Sequence, residues 1–162
     1  MSDLKARSIG TLSTQRLGHG YYWQDLSVGQ RFETFRRTVT ETDLVNFISV
    51  TGMLEAIFID TTFPDGAIAG RPVPSALTYS LIEGLILQSM IQGTGLAMLE
   101  LNQSIHGPVL VGDTIGAEIE VMHIRPTSNG GRAVVVSEIR ITNQRGDCVM
   151  TYTAKRLLAG RK

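Results

Sequence analysis

An α+β fold, with one antiparallel sheet of five or more long strands curled around a single buried helix, is what this sequence predicts. Two observations carry that reading. From Leu77 to Ile91 apolar side chains recur at helical spacing over a stripe broad enough to be buried nearly all round. After Gly95 the period changes to two, in four runs separated by turn signals. One apolar helix plus a run of long alternating strands satisfies both only if the sheet wraps the helix.

The elements follow in chain order. Residues 1 to about 20 carry Ser, Thr, Gly, Lys and Arg without apolar periodicity and read as a mobile or partner-dependent arm, with a single domain from residue 21 to residue 162. Gly29 to Val39 alternates with a slip, which predicts a first strand bulged at Thr34. Thr40 with Asp43 three residues on forms a capping-box variant ahead of Leu44, Phe47 and Ile48. A short helix from Glu41 to about Val50 follows, closed by Gly52. Three prolines and two glycines between Phe63 and Pro74 make an irregular loop. Ser75 is placed to cap the long helix, and Gly84 inside it is tolerated where a neighbouring backbone packs closely. The four strands run over Leu96–Ile105, Thr114–Ile124, Arg132–Thr142 and Cys148–Arg156, with turns at Val111-Gly-Asp-Thr, Ser128-Asn-Gly-Gly and Asn143-Gln-Arg-Gly-Asp.

Bulk properties narrow the function. At 162 residues the chain has the length of one domain with a real core. Fifteen basic and fifteen acidic residues cancel, and no basic run exceeds Arg36-Arg37, so the electrostatic footprint of a nucleic-acid binder is missing. The single cysteine, Cys148, sits in an alternating run as an ordinary strand residue, which fits a reducing, cytoplasmic compartment. The first residues lack the apolar core of a signal peptide, and no apolar run reaches the length of a membrane span.

Several stretches together then resemble the MaoC-like dehydratase family, which includes the R-specific enoyl-CoA hydratases. They are Leu26-Ser-Val-Gly-Gln-Arg-Phe, Thr38-Val-Thr-Glu-Thr-Asp-Leu, Val50-Thr-Gly52, Gly70-Arg-Pro-Val-Pro-Ser-Ala-Leu and Pro108-Val-Leu-Val-Gly-Asp-Thr. The resemblance runs from Tyr22 to about Leu158 and implies the hotdog fold, a sheet wrapped on one central helix that dimerises, as a homodimer or dimer of dimers. It also implies an acyl thioester, acyl-CoA, as substrate or ligand, with no further cofactor and no metal. The reaction implied is that of an enoyl-CoA hydratase or 3-hydroxyacyl dehydratase, a carbon–oxygen lyase.

In active members of that family a D-x-N-P-x-H motif follows the Thr-Gly helix end, and its aspartate and histidine move the protons of water addition. Carried over by position, the pattern puts Met53 at the aspartate, Glu55 at the asparagine, Ala56 at the proline and Phe58 at the histidine. Neither Met53 nor Phe58 can move a proton. Glu55 is then either a relocated general base or a solvated loop carboxylate, and His106 either an acid–base group or a structural strand histidine. Asp60, beside Thr61 and Thr62, reads as a cap of the next turn. The resemblance also implies that backbone N–H groups at Ser75 and Ala76 hold the thioester carbonyl, while Pro74 stands where the family commonly has a histidine. Arg71 is a candidate for an acyl carboxylate, a CoA phosphate or an ion pair with Asp65. Met53, Phe58, Met90 and Met98 are candidates for lining an acyl pocket or for plain core. Three roles remain in view: a hydratase with a non-standard or degenerate site, a non-catalytic acyl-CoA or small-ligand binding module, and a structural subunit paired with an active paralogue.

Overall fold

The computed structural model describes residues 16–64 and 66–161. It has six strands: β1 Arg31–Glu33, β2 Arg37–Thr38, β3 Gly95–Ile105, β4 Thr114–Pro126, β5 Arg132–Thr142 and β6 Cys148–Ala159. Three helices join them: α1 Glu41–Thr51, a one-turn α2 Ala56–Ile59 and the long α3 Ser75–Ser89. The sheet is antiparallel in the order β1-β4-β5-β6-β3, with β2 also paired to β4. This is the hotdog arrangement.

Period two explains which side chains meet the helix. Ile115 and Ile119 of β4, Ile139 and Ile141 of β5, and Met150, Tyr152 and Ala154 of β6 are buried at alternate positions on the concave face. Ile82 and Ile86 of α3, also buried, pack in the same core. The inner face is therefore apolar because the helix lies on it, and the outer positions of the same strands are freer to be polar.

The first strand is interrupted where the sequence slips. Three residues, Thr34 to Arg36, stand opposite two, Gly116 and Ala117, between the β1 and β2 registers. Thr34 spans the gap: its N–H donates to Ala117 O at 2.9 Å and its hydroxyl accepts from Ala117 N at 2.9 Å. Helix α1 begins with the capping box read from sequence. Asp43 N donates to Thr40 Oγ1 at 3.1 Å and Thr40 N donates to Asp43 Oδ2 at 2.9 Å. It ends at Gly52, whose φ of 72° is the left-handed conformation that glycine adopts without a Cβ clash.

Three expectations change. The residue preceding the first turn of α3 is Pro74, with no side-chain capping bond, so Ser75 is the first helical residue rather than the cap. A Cβ on Gly84 would meet nothing within 4 Å, so among the described residues no backbone presses on it. Of the arm read over residues 1 to 20, residues 1–15 lie outside the described residues, and its last residue is tied down. Gly20 N donates to Gln92 O at 2.8 Å, and a Cβ there would come within 2.5 Å of Gln92 N. No helix among the described residues is long and apolar enough to cross a membrane.

Candidate active site

The start of α3 is aimed by a short ladder. Val73 N donates to Val109 O at 3.0 Å and Val111 N to Arg71 O at 2.9 Å, around a bridge between Pro72 and Leu110. The Pro108 to Thr114 segment is itself fixed by Asp113, which is buried. Its carboxylate accepts from Leu110 N at 2.9 Å and from Gln144 Nε2 at 2.6 Å. Burial pushes the Asp113 carboxyl up, but the bonds from Gln144 and Leu110 and the nearby Arg145 outweigh it and hold the group below its ordinary value. The Gly-Asp-Thr turn is thus a clamp whose product is the position of the α3 N-terminus.

That N-terminus opens on a cleft of about 400 Å³, lined among others by Phe58, Pro74, Ser75, Thr78, His106 and Met150. The volume falls within the range of small-ligand sites. The first bond along α3 comes from Leu77 N to Pro74 O at 2.9 Å, so the N–H groups of Ser75 and Ala76 precede the helical ladder. N–H groups without a partner among the described residues, and the positive end of a 15-residue helix, favour a negative or developing negative oxygen there. His106 stands past the end of β3, exposed, with its Nε2 at 2.8 Å from Thr151 Oγ1. Its backbone N–H donates to Val149 O at 2.9 Å, which keeps the residue beside β6. Among the residues lining the cleft, His106 is the one with an ionisable side chain.

Phe58, Ser75 and His106 therefore share one cleft. Ala76 follows Ser75 in the first turn without being part of its lining. Met53 is half-exposed on the link between α1 and α2 and does not line the cleft. Glu55 precedes α2, where its carbonyl accepts from Phe58 N at 2.8 Å; its side chain is exposed and forms no ion pair among the described residues. Asp60 caps the following turn, accepting from Thr62 N at 2.8 Å and Thr62 Oγ1 at 2.7 Å, and the Thr62 bonds lower its carboxyl. Arg71 turns to Glu41 at the start of α1, with Nη2 to Oε1 at 2.7 Å and Nε to Oε1 at 3.1 Å. The hydrogen bond holds Glu41 below the ordinary carboxylate value and Arg71 above its own. The other partner considered for Arg71, Asp65, lies outside the described residues. Arg71 also lines a cavity of about 290 Å³ that adjoins the cleft, sharing Ile57, Ile68 and Pro72 with it.

Sequence reading missed Thr151 and the buried cluster on the other flank of α3. There Glu83 Oε1 accepts from Tyr152 Oη at 2.7 Å and from Arg156, and Tyr79 meets the Tyr152 ring edge-on at 5.2 Å between centroids. Burial raises the Tyr152 hydroxyl far above its ordinary value, with the Glu83 charge and hydrogen bond acting in the same direction. Partners 69 and 73 residues apart leave no local signal; charge at a core position of a strand and of an apolar helix was the only trace.

Relatives place this geometry. No curated protein matches the chain. Among solved structures, the MaoC-like dehydratase from Rhodospirillum rubrum is 25% identical, with 88% of this chain and 99% of that one covered at a TM-score of 0.76. The R-hydratase PhaJ1 from Pseudomonas aeruginosa, in unliganded form, is 25% identical over 87% of this chain and 86% of that one, with a TM-score of 0.72. A Mycobacterium tuberculosis protein described as a double hotdog fold is similar in fold, at 19% identity and a TM-score of 0.79; the match takes in 91% of this chain and 46% of that one. The family model of the FAS1-like dehydratase domain region matches residues 27–152, so the chain belongs to that family, as a MaoC-like protein of hotdog fold.

Proposed function

We propose that this protein binds an acyl thioester in the cleft at the N-terminus of α3, with the thioester carbonyl on the N–H groups of Ser75 and Ala76 and the acyl chain against Phe58 and Met150. The observation that carries the reading is the first turn of α3, where the N–H groups of Ser75 and Ala76 have no partner among the described residues and Ser75 lines an apolar cleft of ligand size. Hydration of an enoyl thioester needs a group that takes a proton from water and one that supplies a proton to the alpha carbon. Met53 and Phe58, which stand where the resemblance implies the aspartate and histidine, offer neither, and Glu55 does not line the cleft. Binding without the family's usual hydration is the function this favours. Titration with butyryl- to octanoyl-CoA in a calorimeter is expected to saturate, while crotonyl-CoA keeps its enoyl absorbance. Rapid loss of that absorbance, abolished in Glu55→Gln, would instead restore a working hydratase with a relocated base.

The protein acts as a homodimer through the open side of α3 and β3. Strand β3 is the last in the sheet, its residues are mostly exposed, and Leu96 and Met98 line a groove of about 510 Å³ with Leu87 of α3. An 11-residue edge left unpaired among the described residues, beside apolar side chains, is a surface for a second copy, and the Mycobacterium tuberculosis neighbour has a double hotdog fold. Light scattering is expected to give twice the chain mass, and Met98→Asp to halve it.

A further inference from the structure

The cleft has one proton carrier, and a thioester there can be cleaved with one. We infer that His106 activates water for hydrolysis of the bound thioester, with Thr151 as the hydrogen-bond partner of its imidazole. The inference rests on the acyl-thioester reading above and adds to it a reaction other than hydration.

His106 and the α3 N-terminus line the same cleft, and His106 is exposed, so bulk water reaches the imidazole while a thioester carbonyl faces the helix. His106 Nε2 and Thr151 Oγ1 are 2.8 Å apart. With the Nε2 proton donated to Thr151 Oγ1, Nδ1 carries the lone pair and is the base. Thr151 is then a positioning residue, because it touches the imidazole and not the substrate.

The step balances without any co-reactant beyond water. His106 Nδ1 takes a proton as the water oxygen bonds to the thioester carbonyl carbon, and the carbonyl electron pair moves onto the oxygen facing Ser75 and Ala76 N–H. Collapse of that intermediate breaks the C–S bond, and the imidazolium returns its proton to the departing thiolate. The products are a carboxylic acid and a free thiol. A single imidazole serves as base and then as acid, in sequence, whereas hydration asks for groups aimed at two different carbons. The bond cleaved is also the one next to the oxygen that the helix N-terminus holds, so the helix stabilises the charge where it forms.

The test uses the full chain and saturated butyryl- and octanoyl-CoA, which have no double bond to hydrate. Free CoA and fatty acid are followed by chromatography. The expected result is release that His106→Asn lowers roughly 100-fold or more. Thr151→Val should lower kcat about tenfold, the value of one lost hydrogen bond, with KM unchanged, and Thr151→Ser should restore it. His106 is exposed and Thr151 half-buried, and unchanged thermal melts of the variants separate chemistry from unfolding. Saturable binding without CoA release, or release that His106→Asn leaves untouched, overturns the inference and spares the binding reading. Failure of either thioester to bind overturns both.

Discussion

The central helix faces two cavities, and they differ in how their polar groups are partnered. Beside its C-terminal half, the groove against β3 is the larger, about 510 Å³ against about 400 Å³ for the cleft at its N-terminus. Yet the charged groups at the floor of the groove serve one another, with only Arg156 Nε left without a partner among the described residues. Glu83 takes hydrogen bonds from Tyr152 and Arg156, and all three are buried. At the N-terminus the reverse holds: the N–H groups of Ser75 and Ala76 have no partner among the described residues, and the His106 imidazole makes one hydrogen bond, to Thr151. The lesson is that volume does not locate chemistry. A site is where polar groups are preorganised and left unsatisfied, because a satisfied group has no free energy left to give a ligand.

The contrast is broken most forcefully on the groove side. Removing one member of a buried ion pair strands the other charge, at a cost of about 3–5 kcal/mol. Arg156→Met is therefore expected to lower Tm markedly in a calorimetric scan. Glu83→Leu combined with Arg156→Met is expected to lower it less than the single change, since no buried charge is left unpaired. Neither should change acyl-thioester affinity per folded molecule. A single substitution that leaves Tm in place would mean that the pair is not structural, and the difference between the two cavities would lose its basis.

On the cleft side a smaller effect is expected, and it falls on binding alone. Ser75 occupies the first helical position, where proline is well accommodated because its missing N–H is unpaired in the helix anyway. Pro74, at φ −55° and ψ 137°, already has the conformation that a following proline demands. Ser75→Pro thus deletes one donor without breaking the helix. Acyl-CoA affinity should fall about tenfold, the loss of one hydrogen bond, with Tm within a degree or so of the parent. Ser75→Ala keeps the N–H and should leave affinity alone. Equal loss in both variants would show that the hydroxyl, not the backbone, holds the ligand.

The same contrast explains what could be read from the sequence. Period two, the Thr40 and Asp43 box and the Gly52 stop are local patterns, so strands, helices and even the slip at Thr34 were legible. The site was legible in part, because a helix N-terminus is fixed by chain order: Ser75 and Ala76 follow from where α3 begins, although Pro74 rather than Ser75 precedes its first turn. Pairings between distant residues were not. Arg71 finds Glu41, thirty residues back, because the ladder between Arg71–Val73 and Val109–Val111 carries it past the start of α1. Thr151 meets His106 through the β3–β6 register, and Glu83 meets Arg156 through the curl of the sheet. Such contacts are products of tertiary structure, and no window of sequence contains both partners.

Gly84 gives the finest probe of the groove, and the smallest expected effect. Its Cβ position is empty in the single chain, so replacing it by alanine in a helix interior should stabilise the fold by about 1 kcal/mol. That gain is expected in full where pairing has been removed, in the Met98→Asp background, as a Tm rise of a few degrees. In the dimer proposed above, the new methyl of the parent background lies on the flank of α3 that lines the groove, where it would meet whatever the second copy brings. A rise smaller than in the Met98→Asp background measures the pairing energy lost, the logic of a double-mutant cycle. Equal rises in both backgrounds would place the partner elsewhere and leave the larger cavity open to solvent in the working protein.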